Sequence, residues 1–296
     1  MFGIVIILLT TASCSSDSVA QVPQFLPGKQ VGTVQTELIR EASGIVASRK
    51  NPKVLWLHND SGDSARVYAI NFDGRLLGIY RIKEAHCRDW EDIAIGPGPE
   101  PEQDYLYIGD IGDNGAEHKS ITVYRVPEPK VDPNGALAQM QVGPANSIEL
   151  VYPDGPRDAE TLMVDPLNGD IYVITKRELL SKVYRAPYPQ STKQRTTMDQ
   201  VATLPWGLAV GGDISPNGKL VIVRGYFNAS MWVRPDGEEL WRAFMRKQLR
   251  LDLMEEPKGE AICFDASGGG YFTVSEMVHP PIYYFGRSVV SDKSND

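Results

Sequence analysis

Glu41-Ala-Ser-Gly-Ile45 is the first of five short segments in which an acidic residue opens an apolar strand; the others are Glu91-Asp-Ile-Ala-Ile95, Glu160-Thr-Leu-Met-Val164, Asp213-Ile-Ser-Pro216 and Glu260-Ala-Ile-Cys-Phe264. Their acids lie 50, 69, 53 and 47 residues apart. Recurrence near that period marks a propeller or another repeat array. A carboxylate at the same place in every unit gathers charge on a common axis.

Each unit continues alike. A turn-rich stretch follows the acidic strand, as in Gly96-Pro-Gly-Pro-Glu-Pro101 or Asp165-Pro-Leu-Asn-Gly169, where Pro, Asn and Gly supply the backbone angles of tight reversals. Next comes a β-branched and aromatic strand: Val54–Leu57, Tyr105–Ile108, Ile171–Ile174, Leu220–Val223 and Tyr271–Val274. A third strand carries a hydrophobic-aromatic pair, from Val67-Tyr68 to Ile282-Tyr283. Fourth strands are expected at Leu76–Ile82, Ser147–Tyr152, Gln200–Leu204 and Glu239–Phe244, and the last unit has none. Thr33-Val-Gln-Thr-Glu-Leu38 precedes the first acidic strand and belongs to no unit. Placed as the outer strand of the last unit it closes a ring, which removes exposed sheet edges. The expectation is an all-β, five-bladed β-propeller of four-stranded blades closed by an N-terminal strand. A five-unit solenoid is the competing architecture, and Glu238–Met254 is the one stretch with room for a short helix.

A chain of 296 residues with 42% hydrophobic content can bury a substantial core. Its 30 basic and 38 acidic residues give a net charge of -8, which argues against nucleic-acid or anionic-membrane binding and suits cations. The run Ile4-Val-Ile-Ile-Leu-Leu9 is too short to span a bilayer and reads as a secretory signal. Ala12-Ser-Cys14 resembles a lipoprotein cleavage site; ordinary cleavage nearby is the alternative. The expected layout is a signal over 1–14, a polar linker over 15–30, the propeller over 31–287 and a polar tail over 288–296. The protein is then secreted or held in the cell envelope, touching a membrane only through a lipid anchor. Cys87 and Cys263 fall in non-adjacent units, so no disulfide is expected.

In a propeller the innermost strands begin at one end of the central channel. Glu41, Glu91, Glu160, Asp213 and Glu260 are therefore expected to converge there as metal ligands. The loops after the second strands open on the same face. They include Asn59-Asp-Ser-Gly-Asp63 and Gly109-Asp-Ile-Gly-Asp-Asn114, in which Asp60 and Asp110 each follow an axial acid by 19 residues. Several carboxylates around one channel must protonate, pair with a base or bind a cation. An all-oxygen set suits calcium before magnesium or manganese; charge compensation by Lys176 and Arg224 is the other reading. Asp60, Asp110, Lys176 and Arg224 are the candidate catalytic residues. Asn59, Asp63, Asp113, Asn114, Glu276 and His279 are candidate substrate contacts on the same face. His58, His118 and His279 lack metal-ligand spacing and read as loop residues, and Trp90 as blade packing. No G-x-S-x-G elbow, P-loop, dinucleotide fingerprint or H-E-x-x-H pair occurs.

Taken together, Asn59-Asp-Ser-Gly-Asp63, Asp89-Trp-Glu-Asp-Ile-Ala94, Gly109-Asp-Ile-Gly-Asp-Asn114 and Asp158-Ala-Glu160 resemble a family of exported bacterial propeller proteins, over roughly residues 35 to 287. More distantly, the layout is similar to the calcium-activated nucleotidases (apyrases). That resemblance implies a five-bladed propeller with calcium on the axis, held at the starts of the inner strands. The chain departs from those enzymes in carrying acids at all five positions, where they mix in hydroxyl residues, and its loops do not match their nucleotide contacts. Two functions follow: a metal-dependent hydrolase of a phosphoester or other anionic substrate, or a non-catalytic module with a structural metal that docks a small molecule, glycan or protein. Fold alone does not choose between them.

Overall fold

In Val54-Leu-Trp-Leu57 every side chain is buried, although a strand exposes its residues alternately to two faces. Both faces are covered because the sheet stands between two others. Val54 and Trp56 join a core cluster with Trp90, Leu106 and Ile108, whereas Leu55 and Leu57 join another with Phe272, Val274 and Ile282. Strands buried on both faces read as continuous apolar runs. That is why the second strand of each unit was so legible.

The computed structural model describes residues 23–288; the proposed signal, the lipoprotein motif and most of the tail lie outside them. In chain order, β1 is Lys29–Thr33. Blade one follows as β2 (Ala42–Ala47), β3 (Val54–Asn59), β4 (Arg66–Asn71) and β5 (Leu76–Ile82). Blade two begins with β6 (Trp90–Pro97), β7 (Asp104–Asp110) and β8 (Ile121–Pro127), is interrupted by β9 (Ala138–Val142) and resumes with β10 (Asn146–Val151). Blade three is β11 (Ala159–Val164), β12 (Ile171–Thr175), β13 (Lys182–Ala186) and β15 (Asp199–Thr203), with β14 (Thr196–Thr197) lying between the last two in sequence. Blade four is β16 (Ala209–Ile214), β17 (Leu220–Gly225), β18 (Ala229–Val233) and β19 (Leu249–Leu251). Blade five is β20 (Gly259–Phe264), β21 (Gly270–Ser275) and β22 (Pro281–Gly286), completed by β1. Five sheets result, each with its blade's first strand at the inner edge, and five core clusters fill the five blade interfaces. The chain is a five-bladed β-propeller.

Closure uses the N-terminal segment as expected, but with different residues. β1 ends at Thr33, where the sequence reading began its strand. Thr33–Leu38 instead carries the chain from blade five to blade one: the Val34 amide donates to Pro280 O (3.0 Å) and that of Gln35 to Gly74 O (2.9 Å). The last residues of the expected linker are ordered against blade five. Phe25 packs edge-on to Tyr271 with ring centroids 4.9 Å apart, and the Leu26 amide donates to Gly286 O.

Blades one and two have five strands, not four. β9 pairs in parallel with β5, and β14 with β10, covering two outer edges. β9 is largely exposed, so it carries no burial alternation from which a sequence could reveal it. Glu239–Phe244 is the second correction. Leu240–Met245 is a 3₁₀ helix whose Leu240, Ala243 and Phe244 pack into the core between blades three and four, and the outer strand of blade four lies further on at β19. Apolar residues spaced three and four apart favour a helical turn over a strand.

Candidate functional site

Each inner strand starts with a β-bulge. The ladder skips one residue between Ala42 and Gly44, Trp90 and Asp92, Ala159 and Thr161, Ala209 and Gly211, and Gly259 and Ala261. The skipped residues are Ser43, Glu91, Glu160, Val210 and Glu260. A bulge re-aims the extra side chain, and here it does so at the same end of every blade. The second strands end at the same level, and the residues that follow their last relevant pairs are Asp60, Ile111, Lys176, Tyr226 and Glu276. These two sets form the mouth of the channel.

This register keeps three of the five expected axial acids, Glu91, Glu160 and Glu260, and removes two. Glu41 lies two residues before the bulge of blade one and is exposed; the ring position there belongs to Ser43. Asp213 lies three residues beyond its bulge, further down the strand. Its Oδ1 accepts from the Ile214 amide (2.8 Å) and its Oδ2 from the Phe264 amide of blade five (2.9 Å). Asp92 on blade two, one residue beyond its own bulge, bonds in the same way, accepting from Ile93 (2.8 Å) and from Leu162 of blade three (2.9 Å). Both carboxylates stitch neighbouring inner strands together. Burial raises the pKa of both, that of Asp213 to about 7.

A raised carboxyl pKa has a definite pH signature. Folding favours the protonated form of Asp213, so its contribution is fully present below the ordinary aspartate pKa of about 3.9 and is lost as pH rises through about 7. Asp213→Asn holds the site neutral throughout. Relative to the parent, the variant should gain on the order of 4 kcal/mol between about pH 4 and pH 8 in urea denaturation. A difference that does not change with pH would contradict this environment for Asp213.

At the mouth, carboxylate oxygens of Asp60, Asp89 and Glu91 lie within 4.8 Å of one another. Asp60 comes from blade one, Asp89 and Glu91 from blade two. Burial, followed by repulsion from Glu160, Asp60 and Asp89, raises the Glu91 pKa well above the usual carboxylate range. Burial and the charges of Asp60 and Asp158 raise that of Asp89. Gly112, in the loop after β7, lets the backbone approach them closely: a Cβ there would collide with the carboxylates of Glu91 and Asp89. Across the mouth, Glu160 pairs through Oε1 with Lys176, while its buried Oε2 has no partner among the described residues. The Lys176 ammonium stands 5.2 Å from the centroid of the Tyr226 ring, and the Tyr226 hydroxyl donates to Glu260 Oε1 (3.0 Å). Burial opposes the charge on Lys176, but Glu160 and Tyr226 outweigh it and raise its pKa. Lys258 bridges Glu260 and Glu276.

The other candidates are occupied elsewhere. Asp110 is equivalent to Asn59, not to Asp60: both close the last pair before the bulge and receive the backbone of the entering strand. Asp110 Oδ1 accepts from the Asp89 amide (2.8 Å), and Asn59 Oδ1 from the amides of Arg40 and Glu41. Asp110 is buried, so it is no solvent-facing loop base. Asp63 binds Asn59, Arg66 and Tyr68, and Asp113 binds the amides of Glu117 and His118, so both shape their own loops. Asn114 meets Arg177, and Glu276 is paired with Lys258. His279 is exposed, its Nδ1 2.9 Å from Val34 O. Arg224 is 1% exposed and is held by Glu256 (3.0 Å) and Ala261 O (3.2 Å), out of reach of a substrate. His58 is not a loop residue but a fully buried member of β3, edge-on to Trp90 with centroids 5.8 Å apart.

Ser43, Asp89, Tyr226 and Lys258 are polar residues at the mouth that sequence reasoning missed. Asp89 had a signal, because Asp89-Trp-Glu91 and Asp158-Ala-Glu160 repeat one Asp-x-Glu pattern. Tyr226 had none, since its equivalence to Lys176 appears only in the register.

No protein-family model matches the chain, and neither does any curated protein. Among solved structures, the chain is similar to a component of a nidogen/laminin complex (13% identity, 80% of this chain and 73% of that one, TM-score 0.44). It is also similar to a chain of Kuenenia stuttgartiensis hydrazine synthase (9%, 87% and 98%, TM-score 0.43) and to a luciferin-regenerating enzyme (10%, 90% and 95%, TM-score 0.46). Likeness at this level says nothing of activity; the five blades rest on the strand pairing itself.

Proposed function

We propose that this protein is an exported, divalent-cation-dependent hydrolase of phosphoesters or related anionic substrates, working at the channel mouth. The convergence of Asp60, Asp89 and Glu91 beside Gly112 carries the reading. The donors are all oxygen, which suits calcium. Ser43 at the ring position of blade one sets a hydroxyl beside the acids of blades two, three and five, with Val210 apolar at blade four; similarity to calcium-activated nucleotidases implies a mixture of acid and hydroxyl residues. Glu160 Oε2, buried and without a partner among the described residues, is a further oxygen in the ring. When bound, calcium would supply Lewis-acid polarisation and charge neutralisation for an anionic substrate. Lys176 and the Tyr226 hydroxyl would hold the substrate's negative charge. Glu260, which accepts from the Tyr226 hydroxyl and whose pKa burial raises, would be the proton-transfer group.

A second reading rests on a specific observation: the three carboxylates come from two blades. A cation there would pin blades one and two whether or not chemistry followed, as in a non-catalytic module that binds a glycan or protein. Calorimetry with calcium, together with a screen of p-nitrophenyl phosphoesters and glycosides, tests both. We expect calcium to bind and to raise the melting temperature. Gly112→Ala should cut calcium affinity at least about tenfold by crowding the carboxylates, and Asp60→Asn should abolish calcium-dependent turnover. Binding without turnover of any substrate would favour the module. No calcium, magnesium or manganese uptake would overturn both.

A further inference from the structure

The face that carries the mouth is divided in chemistry. Blades one and two surround it with Asp-rich loops, whereas the loops of blades three and four raise large apolar side chains into solvent: Leu179 is 96% exposed, Phe227 89% and Leu208 47%. These three do not stand on unrelated loops. The Leu208 amide donates to Lys176 O (2.9 Å), and the Ser181 amide donates to Trp206 O (2.9 Å), so the segment 176–181 is bonded to the segment 204–208. A Cβ on Gly207 would collide with the carbonyl oxygen of Glu178 and lie 2.9 Å from that of Leu179, so the contact requires glycine. Phe227 follows Tyr226 directly, with ring centroids 6.3 Å apart. The ridge is therefore joined through its backbone to the two residues, Lys176 and Tyr226, that face the carboxylates.

Leu208 carries a further sign. Its φ is +64°, a left-handed conformation that a leucine adopts only at a cost. The strain holds an exposed apolar side chain beside the mouth, where a polar residue or glycine would relieve it. Unpaired strain of this kind clusters at ligand sites.

We infer that the substrate is amphipathic, with an anionic head at the mouth and a hydrocarbon or aromatic portion lying over Leu179, Leu208 and Phe227. The inference rests on the cation site proposed above for the head. Charge complementarity sets the orientation: Lys176 and a bound cation attract the head, and the acidic loops of blades one and two offer nothing to an apolar tail. An anionic membrane is disfavoured by the net charge of -8.

The test compares ethyl phosphate with octyl phosphate by calorimetry on the calcium-loaded chain. Six added methylenes, even partly buried on the ridge, should tighten binding at least about tenfold. Leu179→Ser combined with Phe227→Ser should bring the ratio close to one, with calcium uptake unchanged as the control for folding. A ratio near one in the parent, no binding of octyl phosphate, or a ratio that survives the double substitution would overturn the inference. Co-sedimentation of the parent but not the double variant with zwitterionic vesicles, with a ratio near one, would overturn it by making the ridge a membrane contact. A chain that takes up no calcium yet keeps a ratio dependent on Leu179 and Phe227 would sink the cation reading and leave this one standing.

Discussion

A chain lacking residues 1–35 will fail to hold its fold at 37 °C. That deletion removes β1, the outer strand of blade five, and bares the ladder edge of β22. It also removes Val34, buried in the core between blades five and one, and Phe25, which packs on Tyr271. A propeller depends on its closing strand because every blade is held by two neighbours, and an unlatched ring exposes two interfaces at once. The expected loss exceeds about 5 kcal/mol, which is the whole stability of many domains. Circular dichroism on heating reads it directly. A truncated chain that melts at the parent's temperature would contradict the closure by β1.

Arg224→Met will be the most damaging single change near the channel. The side chains of Arg224 and Glu256 are both about 1% exposed and pair at 3.0 Å, and Glu260 adds to the field around the guanidinium. Removing one partner leaves Glu256 buried and unpaired, which costs about 3–5 kcal/mol. For a domain of this size that corresponds to a fall in melting temperature on the order of 10 °C. The double change Arg224→Met with Glu256→Leu should recover most of the loss, because the burial penalty of both charges disappears with the pair. If the single variant melts like the parent but loses ligand binding, Arg224 is a substrate contact after all.

The blades were legible because strands buried on both faces leave unbroken apolar runs, as in Val54–Leu57 and Ile171–Ile174. Strands that bury little were not: β9 and β14 sit on outer edges, and their polar residues resemble any loop. The site was legible to the extent that an acid occupied a bulge, as Glu91, Glu160 and Glu260 do. Bulges leave no mark in a single sequence. Glu41 and Asp213, near the bulge in sequence, therefore passed for members of the ring. The equal spacing of Asp60 from Glu41 and of Asp110 from Glu91 was a coincidence of two offsets: Glu41 precedes its bulge, and the hairpin of blade two, with Gly96–Pro101, is longer. Lys176 and Arg224 looked alike as basic residues at the ends of second strands. Two residues' difference in register puts Lys176 in the mouth and Arg224 behind it, against Glu256.

The cation site at Asp60, Asp89 and Glu91 is the claim on which the functional account stands. Its most direct measurement is the long-wavelength anomalous difference map of crystals grown with calcium. The account predicts one strong peak at the channel mouth, about 2.3–2.6 Å from carboxylate oxygens of these three residues. A map with no peak there, or with calcium bound only between Asp92 and Asp213 or on the opposite face, would contradict it.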